Sequence, residues 1–174
     1  MQLHFKRSVG ATLIEIIMVV AIIAIFTIGS FSYYNTASQG NRVQEALSGL
    51  DTISTVIQNQ FATSPDYVGL TESVVVVSGG IQANLKSVNV GHLKHPWSSD
   101  TGAVTIGINP AAVPAATSFL IAYAQVPQGA CVDLVSKAFN KFPSIRINST
   151  AVTTVGTAAT ACVSPANTIV FTHV

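Results

Sequence analysis

From Ile16 to Asn41 the chain contains no Asp, Glu, Lys, Arg or His, and Ile16 to Ile28 is apolar but for Thr27. A helix crossing a bilayer core roughly 30 Å thick needs about 20 predominantly apolar residues. Ala11 to Phe31 supplies that length. Through Ile28 the run is apolar on every side, so such a helix must be buried in lipid or among other helices. One charge, Glu15, stands at its leading edge, and a carboxylate in hydrocarbon costs about 2.5 kcal/mol or more without a partner. Lys6 and Arg7 precede it, a basic pair of the kind that anchors a span on the cytoplasmic side.

Residues 1–10 are short and positively charged, and read as a leader to be set apart from the fold. Glu15 at the edge of the apolar run, and the lack of a clear A-x-A site after it, weigh against a cleaved secretory signal. The helix is expected to continue from residue 11 to residue 64. Its period changes after Tyr34: Val43, Leu47, Leu50, Ile53, Ile57 and Phe61 recur every three or four residues, an amphipathic stripe for packing on a domain. Gly29, Gly40 and Gly49 are weak points for bending, each costing about 1 kcal/mol relative to Ala. Pro65 marks the stop.

Residues 65–174 turn to Val, Thr, Ser and Gly. Strands are expected at Ser73–Ser78, Ala103–Asn109, Ser118–Val126, Ile145–Asn148 and Thr168–Val174, and one helix at Ala130–Phe142, ended by Pro143. Cys131, Leu134, Val135, Ala138 and Phe142 share one face of that helix. The expectation is an α+β protein, a long N-terminal helix packed on a mostly antiparallel sheet head.

Charged residues make up only 9% of the 174, against about 25% in ordinary soluble domains. The net charge is +1, and −1 without Lys6 and Arg7. The basic stripe that marks a nucleic-acid partner is missing. Cys131 and Cys162 in an exported chain suggest one disulfide, with two buried free thiols as the other reading. Enzyme chemistry finds little support. His92 and His95 have H-x-x-H spacing, but no carboxylate or third ligand completes a metal site and Pro96 disfavours a helix; they read as solvated loop histidines. Ser98-Ser99-Asp100 reads as a turn, Trp97 as a core anchor, and Gly79-Gly80 lacks phosphate-loop residues. Asn148-Ser149-Thr150 matches a glycosylation triplet, a weak signal alone.

Gly10-Ala11-Thr12-Leu13-Ile14-Glu15, with Lys6-Arg7 before it and the apolar run after it, resembles the processing motif of type IV prepilins. The Pro96-Trp97 turn, the Phe119 to Val126 strand and Pro127-Gln128-Gly129-Ala130-Cys131 are similar to type IVb pilins of plasmid thin pili and related enteric pili. The resemblance implies a pilin fold and no cofactor. It implies cleavage by a prepilin peptidase between Gly10 and Ala11, N-methylation of Ala11, and a Cys131–Cys162 loop on the filament surface. It further implies a major subunit held in the bacterial inner membrane, then polymerised by assembly-platform proteins into an extracellular helical filament for conjugation or adhesion. The new ammonium at Ala11 would neutralise Glu15 of a neighbouring copy. A minor pilin or a type II secretion pseudopilin shares the same N-terminus, and a membrane-tethered periplasmic binding protein is the reading from another class.

Overall fold

The computed structural model describes residues 12–112 and 116–174. The chain divides into two units, parting between Gln39 and Gly40. Helix α1, Leu13–Gln60, runs through that boundary and through Gly29, Gly40 and Gly49 without interruption. In the first unit it is the whole of the described structure. Thr12 starts it, its backbone carbonyl accepting from Glu15 N at 3.0 Å and its hydroxyl from the same N–H at 3.4 Å.

The second unit is built on a five-stranded sheet. Its strands are β1 (Val104–Ile108), β2 (Phe119–Val126), β3 (Ser144–Ile147), β4 (Thr150–Val152) and β5 (Asn167–His173), in the order β1-β2-β5-β3-β4. Every pairing is antiparallel. Alternation fixes the buried face: Phe119, Ile121 and Tyr123 point inward on β2, as do Ile169 and Phe171 on β5 and Ile145 and Ile147 on β3. At Gln125, with φ 61°, β2 bulges and its register against β5 shifts between Tyr123 and Val126. The inserted residue flips the parity, so Val126 is buried although it is three positions from Tyr123.

The amphipathic stripe lies in this core. Val43, Leu50, Ile53 and Ile57 are fully buried, Ala46 and Leu47 nearly so, and Phe61 packs at the edge. Tyr123 meets the helix end-on, its hydroxyl donating to the Ala46 carbonyl at 3.3 Å. Burial, reinforced by the Asp51 carboxylate, pushes that hydroxyl well above its usual pKa. Gly49 is a close approach here and not a bend: a Cβ would stand 2.8 Å from Leu85 Cδ2 and 3.5 Å from Tyr123 Oη. Lys141 pairs with Asp51 at the helix flank.

Two local expectations are corrected. Ser73–Ser78 is not a strand but part of helix α2, Glu72–Val77. The Thr71 hydroxyl accepts from Val74 N, and the Glu72 carboxylate accepts from Leu93 N at 2.6 Å and contacts His92 Nδ1 at 3.2 Å. A cap and a tether at one end outweigh the β preference of four valines. The later helix, α3, is Gln128–Ala138; it starts two residues early and stops short of Phe142, although the expected apolar face is buried. Strand β4 and helix α4 (Val155–Ala161) were not anticipated.

Candidate functional site

The first unit presents an unusual surface. Every large apolar side chain from Leu13 to Ile28 is more than half exposed, from 51% at Val19 to 80% at Leu13. Two hydroxyls toward the end of this stretch turn back on the backbone: Thr27 Oγ1 donates to the Ile23 carbonyl at 2.7 Å and Ser30 Oγ to that of Phe26 at 2.8 Å. Back-bonding of this kind lets Ser and Thr sit in an apolar environment with their hydrogen bonds made. The helix is long and apolar enough to cross a membrane.

Glu15 lies in the first turn of α1 with exposed Leu13, Ile14 and Ile16 around it. A carboxylate there gains about 0.3–1 kcal/mol from the helix dipole. That falls short of the roughly 2.5 kcal/mol or more that hydrocarbon exacts, so the helix alone does not account for Glu15. No cation lies within ion-pair distance of it among the described residues. Gly10 and Ala11, the expected processing site, lie outside the described residues. Thr12-Leu13-Ile14-Glu15 is also a T-x-x-E capping signature, of which the Thr12 hydroxyl accepting from Glu15 N is one half.

Cys131, on α3, and Cys162, at the end of α4, form a disulfide with Cα atoms 5.9 Å apart. Both sulfur-bearing residues are fully buried. Helix α4 owes its start to Thr154, whose hydroxyl accepts from Thr157 N while the Thr157 hydroxyl accepts from Thr154 N, both near 3.1–3.2 Å.

The histidines part company. His92 stays half-exposed and pairs with Glu72. His95 was expected to be solvated and is instead 95% buried, the correction with most consequence in this region. Its Nε2 donates to the Ala124 carbonyl on β2 at 2.7 Å, and its Nδ1 accepts from Trp97 N at 3.2 Å, which fixes a neutral tautomer. The ring stacks on Tyr123 at 5.1 Å and lies 5.7 Å from Trp97. Burial holds its pKa below the usual 6.5, against the raising effect of hydrogen bonds to the Ala124 and Ala103 backbone. Ser98 and Ser99 stay in the turn that follows, with His95 and Ser98 exchanging backbone hydrogen bonds.

Asn148, head of the glycosylation triplet, is already committed. With Ser149 it makes the β3–β4 turn at φ 49° and 72°. Its Nδ2 donates to Asn167 Oδ1 at 2.8 Å and its Oδ1 accepts from Thr168 N at 2.9 Å. A glycan on Nδ2 would leave one N–H where two donations, to Asn167 Oδ1 and the Ala161 carbonyl, are now made. Among the described residues, no group of three His, Cys, Asp or Glu side chains is placed to hold a metal ion.

A long helix whose second part packs on an antiparallel sheet, with a disulfide closing the C-terminal region, is the architecture of the type IV pilins. TcpA, a type IV pilin from Vibrio cholerae El Tor biotype, matches with a TM-score of 0.57 at 13% identity, over 77% of this chain and 99% of that one. A type IVb pilin from Salmonella typhi matches at 0.56 and 20% identity, over 72% and 95%. Within that class the chain belongs to the Bundlin family, which it matches over residues 35–170. The major structural subunit of bundle-forming pilus of Escherichia coli O127:H6 is 26% identical over 131 residues, 75% of this chain and 65% of that protein. The same subunit of Escherichia coli O111:H- gives the same figures. The match thus spans about two-thirds of the length of these curated relatives. The family match begins at residue 35, beyond the apolar run, so it and the prepilin-like motif rest on different residues.

Proposed function

We propose that this protein is the major structural subunit of a type IVb pilus. The observation that carries the reading is the apolar stretch Leu13–Ile28, its large side chains more than half exposed, with Glu15 at its tip lacking an ion-pair partner among the described residues, on a chain of the Bundlin family. Residues 1–10 are the leader, removed by a prepilin peptidase between Gly10 and Ala11, and Ala11 is then N-methylated. Residues 11–64 are the segment that carries the long helix, with 11–31 as its membrane and assembly part, and 65–174 are the head. Before assembly the stretch is held in the bacterial inner membrane; an assembly platform then moves it into a bundle of identical helices in an extracellular filament.

Exchange of lipid for protein contacts gives little net apolar drive, so packing and polar pairing set the register. The Ala11 ammonium of one subunit meets Glu15 of another. Removing one partner of such a buried pair costs about 3–5 kcal/mol. A head-to-tail contact that does not close produces an open helix, which is a fibre. The subunit's relatives carry the word "major" in their names, which favours this role over a minor pilin.

Glu15→Ala tests it. The variant is expected to insert in the membrane normally and to yield no filaments by electron microscopy of sheared cells. N-terminal sequencing of wild-type fibres should begin at Ala11. Normal filaments from Glu15→Ala, or fibres that begin elsewhere, would overturn the pairing and the processing site respectively.

A further inference from the structure

We infer that His95 is a proton-operated latch: as a neutral imidazole it clamps the 95–98 turn onto β2, and a proton on Nδ1 releases that turn. The inference rests on residues of the second unit alone, so it stands or falls independently of the role of residues 11–31.

The clamp is made of hydrogen bonds in opposite senses. Nε2–H donates to the Ala124 carbonyl, and bare Nδ1 accepts from the Trp97 N–H. A proton taken from water onto Nδ1 turns that nitrogen into a donor facing a donor, and the bond to Trp97 is lost. The turn it supports is short, since His95 and Ser98 exchange only two backbone bonds, at 3.1 and 3.2 Å. The same loop holds the buried Trp97 Nε1, which has no hydrogen-bond partner among the described residues. An unmet buried donor opposes closure of the 95–98 turn, whereas the flanks of the loop are held separately, by Leu93 N–H on Glu72 and by the Ser99 carbonyl accepting from Ser87 Oγ.

The surroundings disfavour an imidazolium. Arg42 and Glu45 on α1, and Lys94 in the loop itself, line the cleft beside His95, which leaves a net positive border. Tyr123 on β2 stacks against the ring and stays protonated, and Asp51 of α1 acts on Tyr123. Charging the imidazole therefore meets burial, an opposed N–H and the net positive border of the cleft, which outweigh the favourable backbone carbonyls of Ala124 and Ala103.

The chain has a single tryptophan, Trp97, 5.7 Å from the ring in question. A protonated imidazole quenches indole emission, so the probe is built in. The full-length protein in detergent micelles is titrated from about pH 7.5 to about pH 4.5, the range in which histidine changes charge. Emission is expected to fall and shift to the red reversibly, with a midpoint below 6.5, while the sheet signal in circular dichroism holds. His95→Gln keeps a donor for Ala124 but takes no charge, and should abolish the transition. His92→Gln should leave it intact. A flat wild-type titration, a transition that survives His95→Gln or vanishes in His92→Gln, or loss of the sheet at the same midpoint would each overturn the latch. Should His95→Gln not fold, the wild-type His95 ring proton is followed by NMR: titration below 6.5 supports the inference, and titration at or above 6.5 defeats it.

Discussion

In the first part of α1, Leu13, Ile17, Val20 and Phe26 are each more than half exposed; in its last part, Val43, Leu50, Ile53 and Ile57 are fully buried. The difference is one of pattern and not of hydrophobicity. Residues 43–61 repeat every three or four positions and find their partner within the same chain. Residues 13–28 have no polar face at all, so no single packed surface can cover them. A helix that is apolar all round states, by its lack of period, that its partners lie outside the molecule.

Substitutions at matched positions break or sharpen this contrast. The largest effect is expected from Ile53→Asp, which buries an unpaired charge and should cost the head about 4 kcal/mol or more. Val20→Asp should leave the urea midpoint of the head unchanged and instead raise the cost of membrane insertion by about 2.5–3.5 kcal/mol. Equal losses of head stability from both would erase the distinction. Next is the Cys131→Ser, Cys162→Ser pair, expected to lose about 3–4 kcal/mol for a loop of this length, read as a lower urea midpoint that a reductant reproduces in the wild type.

A pH effect follows from His95. Its pKa is depressed in the folded head, so the unfolded chain binds the proton more readily below 6.5. Stability should be constant with respect to this group above 6.5 and fall as the pH drops below it, until the folded-state pKa is passed. Urea midpoints along a pH series check the sign, and His95→Gln should flatten that segment. The smallest contrast concerns two glycines of α1. Gly40 has open space where a Cβ would go, so Gly40→Ala should stabilise by about 0.4–1 kcal/mol. Gly49→Ala gains the same propensity but presses on buried Leu85, and overpacking of about 1–3 kcal/mol should turn the balance to a net loss.

The periodic features were legible. The stripe from Val43 to Ile57, four of the strands and the face of α3 all follow from spacing, because each repeats over enough residues to register. Short elements were not. α2 is six residues of Glu, Ser and Val whose helicity depends on a cap at Thr71 and a carboxylate reaching a segment 20 residues away. α4 hides in a run of Val, Thr and Ala, although Thr154 with Thr157 forms a reciprocal cap. His95 was beyond reach for another reason. Its burial is set by Ala124 and Tyr123, some 29 residues further along, and nothing within its own loop encodes that contact.

The link between Cys131 and Cys162 also bears on mechanics. It bypasses 31 residues, about 100 Å of chain if drawn straight at roughly 3.3 Å each. A tensile load on the head could peel β5 from its neighbours, yet it could not reel out α3, β3, β4 and α4. The hidden slack of the C-terminal region is locked away, and the subunit should yield under tension by a short, bounded extension.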